Sequence, residues 1–212
     1  MQTLSAIDLS AWPHQQAADT VIGLMQSLAR RRGLAPSTLA GQTLGLVGFD
    51  ETARAVAKRA SQNVGMQVLV YGESDEERTI ARKLGLRVSP SLSHLLGRSG
   101  VVSLHRRPGD GAAIIDALRL NQMKPDAFLI NADHGALIDQ QDLLHALWFE
   151  TIGGAGIAVP EDTLDRLSDL EACDNALVVP SADRRREAAP GPTKPEAFGN
   201  VVPLFPAGQL PG

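Results

Sequence analysis

The chain has 212 residues, 43% of them hydrophobic and 21% charged, enough for one domain with a real core and ordinary for a soluble globular protein. A formal net charge of −4 and a pI near 5.7 exclude a basic field that would draw it to nucleic acid. One cysteine, Cys173, excludes an internal disulfide and a thiolate metal cluster, and the five histidines show no metal-ligand spacing.

The opening "MQTLSAIDLSAWPHQQ" has no basic region followed by an apolar run, so it is not read as a signal peptide. No apolar run approaches membrane-spanning length. The expected compartment is the cytoplasm, with neither membrane nor nucleic acid as partner. The stretch "AADTVIGLMQSLARRR" (17–32) places Val21, Leu24, Met25 and Leu28 at helical spacing and closes on arginines, so it reads as an amphipathic helix. "GLAPSTLAGQ" then breaks the pattern. The clusters Arg30-Arg31-Arg32 and Arg184-Arg185-Arg186 are read as a solvated helix end and loop rather than phosphate sites.

From there apolar runs of strand length alternate with helical patterns. Strands are expected at 43–49, 67–72, 100–105, 127–131, 153–159 and 175–180. Between them "ETARAVAKRASQNV", "SDEERTIARKLG", "SLSHLLGRS", "AAIIDALRLNQM" and "IDQQDLLHALWF" read as helices. In "SDEERTIARKLG" the acidic start and basic end suit the helix dipole. Strands that are apolar throughout, alternating with helices, imply a parallel sheet covered on both faces, and right-handed crossovers make it doubly wound and Rossmann-like. Ligands in such sheets bind beyond the carboxyl ends of the strands, near a switch in strand order.

Three parts are expected: an N-terminal helix and linker over 1–40, the α/β domain over 41–183, and a tail over 184–212. The tail carries six of the thirteen prolines, shows no periodicity and reads as disordered. "NVVPLFP" within it is apolar enough to dock on a protein partner.

The first candidate site is "GFDETA", between the first strand and its helix. A dinucleotide fingerprint has three glycines there, for a tight turn, for close approach to the pyrophosphate, and for helix–strand packing. Gly48 keeps the first, Asp50 replaces the second and Ala53 the third. Alanine is a mild change; Asp50 is not. Its carboxylate can cap its own helix and would stand beside a doubly charged pyrophosphate. Further on, Gly72 falls where an acidic residue would bind the adenosine ribose, and Glu73 follows it.

Taken together and in this order, "GQTLGLVGF", "VVSLH", "MKPDAFLINADHGALID" and "GGAGIAV" resemble the nucleotide-binding domain of the D-isomer-specific 2-hydroxy-acid dehydrogenases, over residues 17–183. The resemblance implies a two-domain enzyme, most of whose substrate domain is expected to be absent because Met1 lies almost at the start of the nucleotide domain. It implies a trio of arginine, histidine and glutamate that holds the substrate, exchanges its proton and orients the base. At those positions this sequence has His134, Ser181 and Thr163, with Glu161 and Asp162 close by, and Ala158 where an aspartate would meet the nicotinamide amide. It matches His105 to a family histidine whose expected role is packing, and it puts Arg106 and Arg107 near the adenine.

Serine cannot replace the base unaided, and histidine is no fixed cation at pH 7. The leading expectation is therefore a non-catalytic relative, or pseudoenzyme, that binds no NAD(H) or binds it weakly. It would act as a dimeric binding or regulatory module, with the apolar face of the first helix, Trp12 and Trp148 as interface anchors. The alternative is an NAD(P)-dependent oxidoreductase acting on a 2-hydroxy acid, with His134 as base, Asp133 or Asp162 behind it, and a substrate domain borrowed from another chain. A third is a gene fragment, or a chain whose true start lies upstream.

Overall fold

The computed structural model describes residues 14–106, 113–133, 135–159 and 167–180. Within them the chain order is α1 (Gln15–Arg31), β1 (Thr43–Val47), α2 (Glu51–Arg59), β2 (Gln67–Tyr71), α3 (Asp75–Lys83), β3 (Arg87–Val88) and α4 (Leu92–Arg98). It continues with β4 (Val101–Leu104), α5 (Ala117–Leu120), β5 (Phe128–Asn131), α6 (Gln140–Trp148), β6 (Gly154–Val159), α7 (Ser168–Glu171) and β7 (Ala176–Pro180). The seven strands form one parallel sheet in the order β3-β2-β1-β4-β5-β6-β7. The order reverses between β1 and β4, the switch point of a doubly wound, Rossmann-like fold.

Alternate residues of each strand feed two cores. In β5, Phe128 and Ile130 face α1 and α2, while Leu129 faces the opposite layer with Leu96, Leu143 and Leu147. Both faces are covered, which is why β1, β4 and β6 are apolar almost throughout. The apolar face of α1 (Ala18, Val21, Leu24, Met25, Leu28, Ala29) is buried in the first core. That face, offered from the sequence as part of a dimer contact, is covered by the chain's own sheet. Trp148 and Phe149, at the end of α6, are instead exposed; Trp12 lies outside the described residues.

Several boundaries differ from the sequence expectation. The helix expected over "AAIIDALRLNQM" is only α5. Ile115 pairs with Ile138 in an isolated bridge, and its N–H donates to Leu137 O at 3.0 Å. Asp116 then caps the helix, its carboxylate accepting Arg119 N–H at 2.9 Å. The tail of the second expected helix is a π-helical turn, Ala60–Val64, closed by Gly65 in the left-handed region. β3 and α7 are additions, and "PSTL" is a 3-10 turn over Pro36–Leu39. Of the first arginine cluster, Arg31 donates to Asp174 O and Ala176 O, and Arg32 to Gly153 O, so both brace the starts of β6 and β7. The tail expectation and the second arginine cluster lie outside the described residues. No helix among the described residues is long and apolar enough to cross a membrane.

Candidate functional site

The carboxyl ends of β1, β2 and β4 lie side by side at the switch in strand order, the place where such sheets receive their ligands. Gly48 begins the turn out of β1 at φ +85°, a region open to glycine at little cost. A Cβ there would stand 2.0 Å from His105 O, so the turn also lies against the backbone after β4. Phe49 is fully buried. Asp50 is the N-cap of α2, its Oδ1 accepting Ala53 N–H at 2.8 Å. Thr52, in the first turn, has its hydroxyl buried with no hydrogen-bond partner among the described residues. Glu51, beside it, pairs with His14 Nε2 at 2.9 Å.

On the β2 side, Glu73 carries its carboxylate to Arg106 Nη1 at 2.7 Å. The structure thus brings Gly48, Asp50, Ala53, Glu73, His105 and Arg106 to one end of the sheet. His105 is buried, with Nε2 2.9 Å from Ser103 Oγ, so it packs and hydrogen-bonds at the strand end. Arg106 is an ion-pair partner rather than a solvated loop arginine.

Glu77 is the residue that sequence reasoning missed. Its Oε1 accepts Phe49 N–H at 3.2 Å and its Oε2 accepts Glu73 N–H at 2.8 Å. A signal existed: Ser74-x-x-Glu77 is a capping-box spacing. Ser74 Oγ does accept Glu77 N–H at 3.1 Å; the glutamate, however, reaches past the cap to two loop amides. Beside it the Arg78 guanidinium, by hydrogen bond and by charge, holds the exposed Asp75 carboxyl below its ordinary value of 3.8.

Beyond the ends of β5 and β6 lies a second cleft of about 160 Å³, lined by Asn131, Ile138, Leu143, Ile157 and Leu170 among others. Asn131 is buried there, and its Oδ1 accepts Asp133 N–H at 3.1 Å. His134, Thr163, Ser181 and Arg107 lie outside the described residues, as do Glu161 and Asp162. Among the described residues no cluster of His, Cys, Asp or Glu is placed to hold a metal ion.

A dinucleotide at this end of the sheet would find a favourable backbone and an opposing charge. Gly48 lets the chain turn out of β1 at positive φ close against His105, and α2 starts at the switch point. Against this, Asp50 and Glu77 already take amides around the turn. Gly72 has no space for the acidic side chain usual at that place, because its Cβ would lie 2.9 Å from Glu77 Cβ. Glu73, paired with Arg106, is the carboxylate that a ribose bound there would meet.

Comparison with known proteins bears on this geometry. Residues 10–181 match the family model described as D-isomer specific 2-hydroxyacid dehydrogenase, NAD binding domain. A Staphylococcus epidermidis protein described as a 2-hydroxyacid dehydrogenase is 31% identical over 199 residues, covering 82% of this chain and 61% of the relative. Glyoxylate reductase of Korarchaeum cryptofilum is 34% identical over 179 residues, covering 81% and 51%. The structure of Salmonella D-lactate dehydrogenase superposes with a TM-score of 0.70 at 28% identity, covering 80% of this chain and 60% of that one. The chain spans roughly half to three-fifths of the length of these relatives.

Proposed function

The chain belongs to the D-isomer specific 2-hydroxyacid dehydrogenase family through its NAD binding domain, and from that premise we propose that it is the coenzyme-binding part of an NAD(P)-dependent oxidoreductase acting on a 2-hydroxy acid. The observation that supports this most is the switch in strand order between β1 and β4, where Gly48 turns at positive φ and α2 begins. When bound, the coenzyme exchanges a hydride with the substrate. The chain's own residues supply position and charge. The first turn of α2 directs its amides toward the diphosphate, Glu73 accepts from a ribose hydroxyl, and Arg106 holds Glu73 in place. Asp50 opposes the diphosphate, so NAD(H) is bound weakly.

We assign proton exchange with the substrate hydroxyl to His134, with Asp133 beside it in the chain; an imidazole titrates in the range such a base needs. Thr163 and Ser181 take no part. The chain spans about half to three-fifths of its relatives' length, which supports a substrate domain supplied by another chain or by a further part of the same enzyme. The compartment is the cytoplasm, and the unit is a homodimer with Trp148 in the contact.

Calorimetry with NADH, followed by turnover on a panel of 2-oxo acids, tests the assignment. Saturable binding is expected of the chain itself, and turnover of the chain together with its substrate domain, with turnover lost and binding kept in His134→Ala. No heat at several times a Kd of about 1 mM, the −4.1 kcal/mol level, would contradict it.

A second reading has its own support. Asp50 fills the α2 start with a carboxylate, which favours a non-catalytic dimeric module that recruits a protein partner through residues 184–212. NADH binding with no turnover on any 2-oxo acid, even with the substrate domain supplied, would select this reading.

A further inference from the structure

We propose that Glu77 is a positioning residue of the coenzyme site: one carboxylate that fixes the loops after β1 and β2 against each other and so sets where Glu73 stands. This rests on the coenzyme reading above. The two amides it accepts, Phe49 N–H at 3.2 Å and Glu73 N–H at 2.8 Å, belong to different βα loops. Hydrogen bonds to an ionised acceptor are the stronger kind. The stem of Glu77 is fixed as well. Its own N–H donates to Ser74 Oγ, and its Cβ occupies the space over Gly72.

The next residue completes the grip. Arg78 Nη1 donates to Gly72 O at 2.8 Å and to Glu73 O at 3.0 Å. Residue 73 is thus held at its N–H and its carbonyl by successive residues of α3. Its side chain reaches Arg106 at 2.7 Å. The contacts Phe49–Glu77–Glu73–Arg106 therefore tie together the loops after β1, β2 and β4, the three strands that border that site.

The consequence is for coenzyme choice. A fixed Glu73 carboxylate receives a ribose 2′-hydroxyl and repels a 2′-phosphate. Discrimination between NADH and NADPH then depends on Glu77, although it acts through Glu73. Binding sites held by such supporting contacts lose selectivity when the support is removed.

The test compares wild type, Glu77→Ala and Glu77→Gln for NADH affinity, NADPH affinity and amide hydrogen exchange. Glu77→Ala should weaken NADH about tenfold, a difference of about 1.4 kcal/mol, and NADPH less, shrinking their ratio at least about threefold. Glu77→Gln keeps an acceptor oxygen and should retain part of both effects; it also carries the test if the alanine variant does not fold. The Phe49 and Glu73 amides should exchange faster in Glu77→Ala, with β5 and β6 unchanged. A wild type that binds NADH, with the same NADH:NADPH ratio in both variants, overturns this proposal alone, as do Phe49 and Glu73 amides that exchange as before. A wild type that binds neither dinucleotide overturns the coenzyme reading and this inference with it.

Discussion

Ala53 donates its N–H to Asp50 Oδ1 at 2.8 Å, so α2 begins on a carboxylate supplied by its own chain. The same helix start is where the fold would receive a diphosphate. A diphosphate bound there would compete with this cap.

Asp50→Gly removes the competitor. At ~4–5 Å and an effective dielectric of about 20, a carboxylate beside a phosphate costs on the order of 3–4 kcal/mol. NADH affinity should rise by about two to three decades. Glycine is a fair cap, so stability should fall by only a few tenths of a kcal/mol. Calorimetry and urea unfolding on the same sample check both. Unchanged affinity would mean that Asp50 does not face the diphosphate.

Gly48→Ala places a methyl group 2.0 Å from His105 O at a φ of +85°. The turn must open or the loop after β4 must move. Loss of about 3 kcal/mol of stability is expected, seen as a lower urea midpoint with an unchanged slope.

Asp75 gives a pH signature. Arg78 holds its folded pKa below 3.8. A group with a lowered folded value stabilises the fold above its unfolded value, and that contribution is lost as pH falls through the folded value. Asp75→Asn should therefore lower stability slightly at neutral pH, and the gap to wild type should close as pH drops below 3.8. Both residues are on the surface, so the gap should also shrink in high salt.

Trp148 and Phe149 are 64% and 78% exposed, and Leu118 on α5 is 66% exposed. Buried aromatic anchors dominate many interfaces. Light scattering should find a dimer, and the double variant Trp148→Ala, Phe149→Ala should weaken it by at least about 2 kcal/mol. Self-association equal to wild type in that variant would remove this patch from the contact.

How much was legible in the sequence follows from how local each cause is. β1, β4 and β6 announce themselves because a parallel strand buried on both faces must be apolar throughout. β3 gives no such signal. Its two residues exist as strand only because Arg87 and Val88 pair with Leu69 and Val70. α5 was overextended because the apolar spacing around Ile115 fits a helix, while its pairing with Ile138 pulls it straight. At the site, Asp50 is a local cap and could be read from its place before α2. Glu77 works across two loops. Its position in a capping box was visible, yet the amides it reaches, Phe49 and Glu73, depend on how β1 and β2 lie side by side.

On this reading the chain binds a nicotinamide dinucleotide at the carboxyl ends of β1, β2 and β4. Amide chemical-shift mapping of the isotopically labelled chain, titrated with NADH, tests it most directly. Saturable shifts are expected at Gly48, Asp50, Glu51, Thr52, Ala53, Glu73 and Arg106, with β3 and the end of α6 silent. A spectrum that does not move, or one that moves only elsewhere, would contradict it.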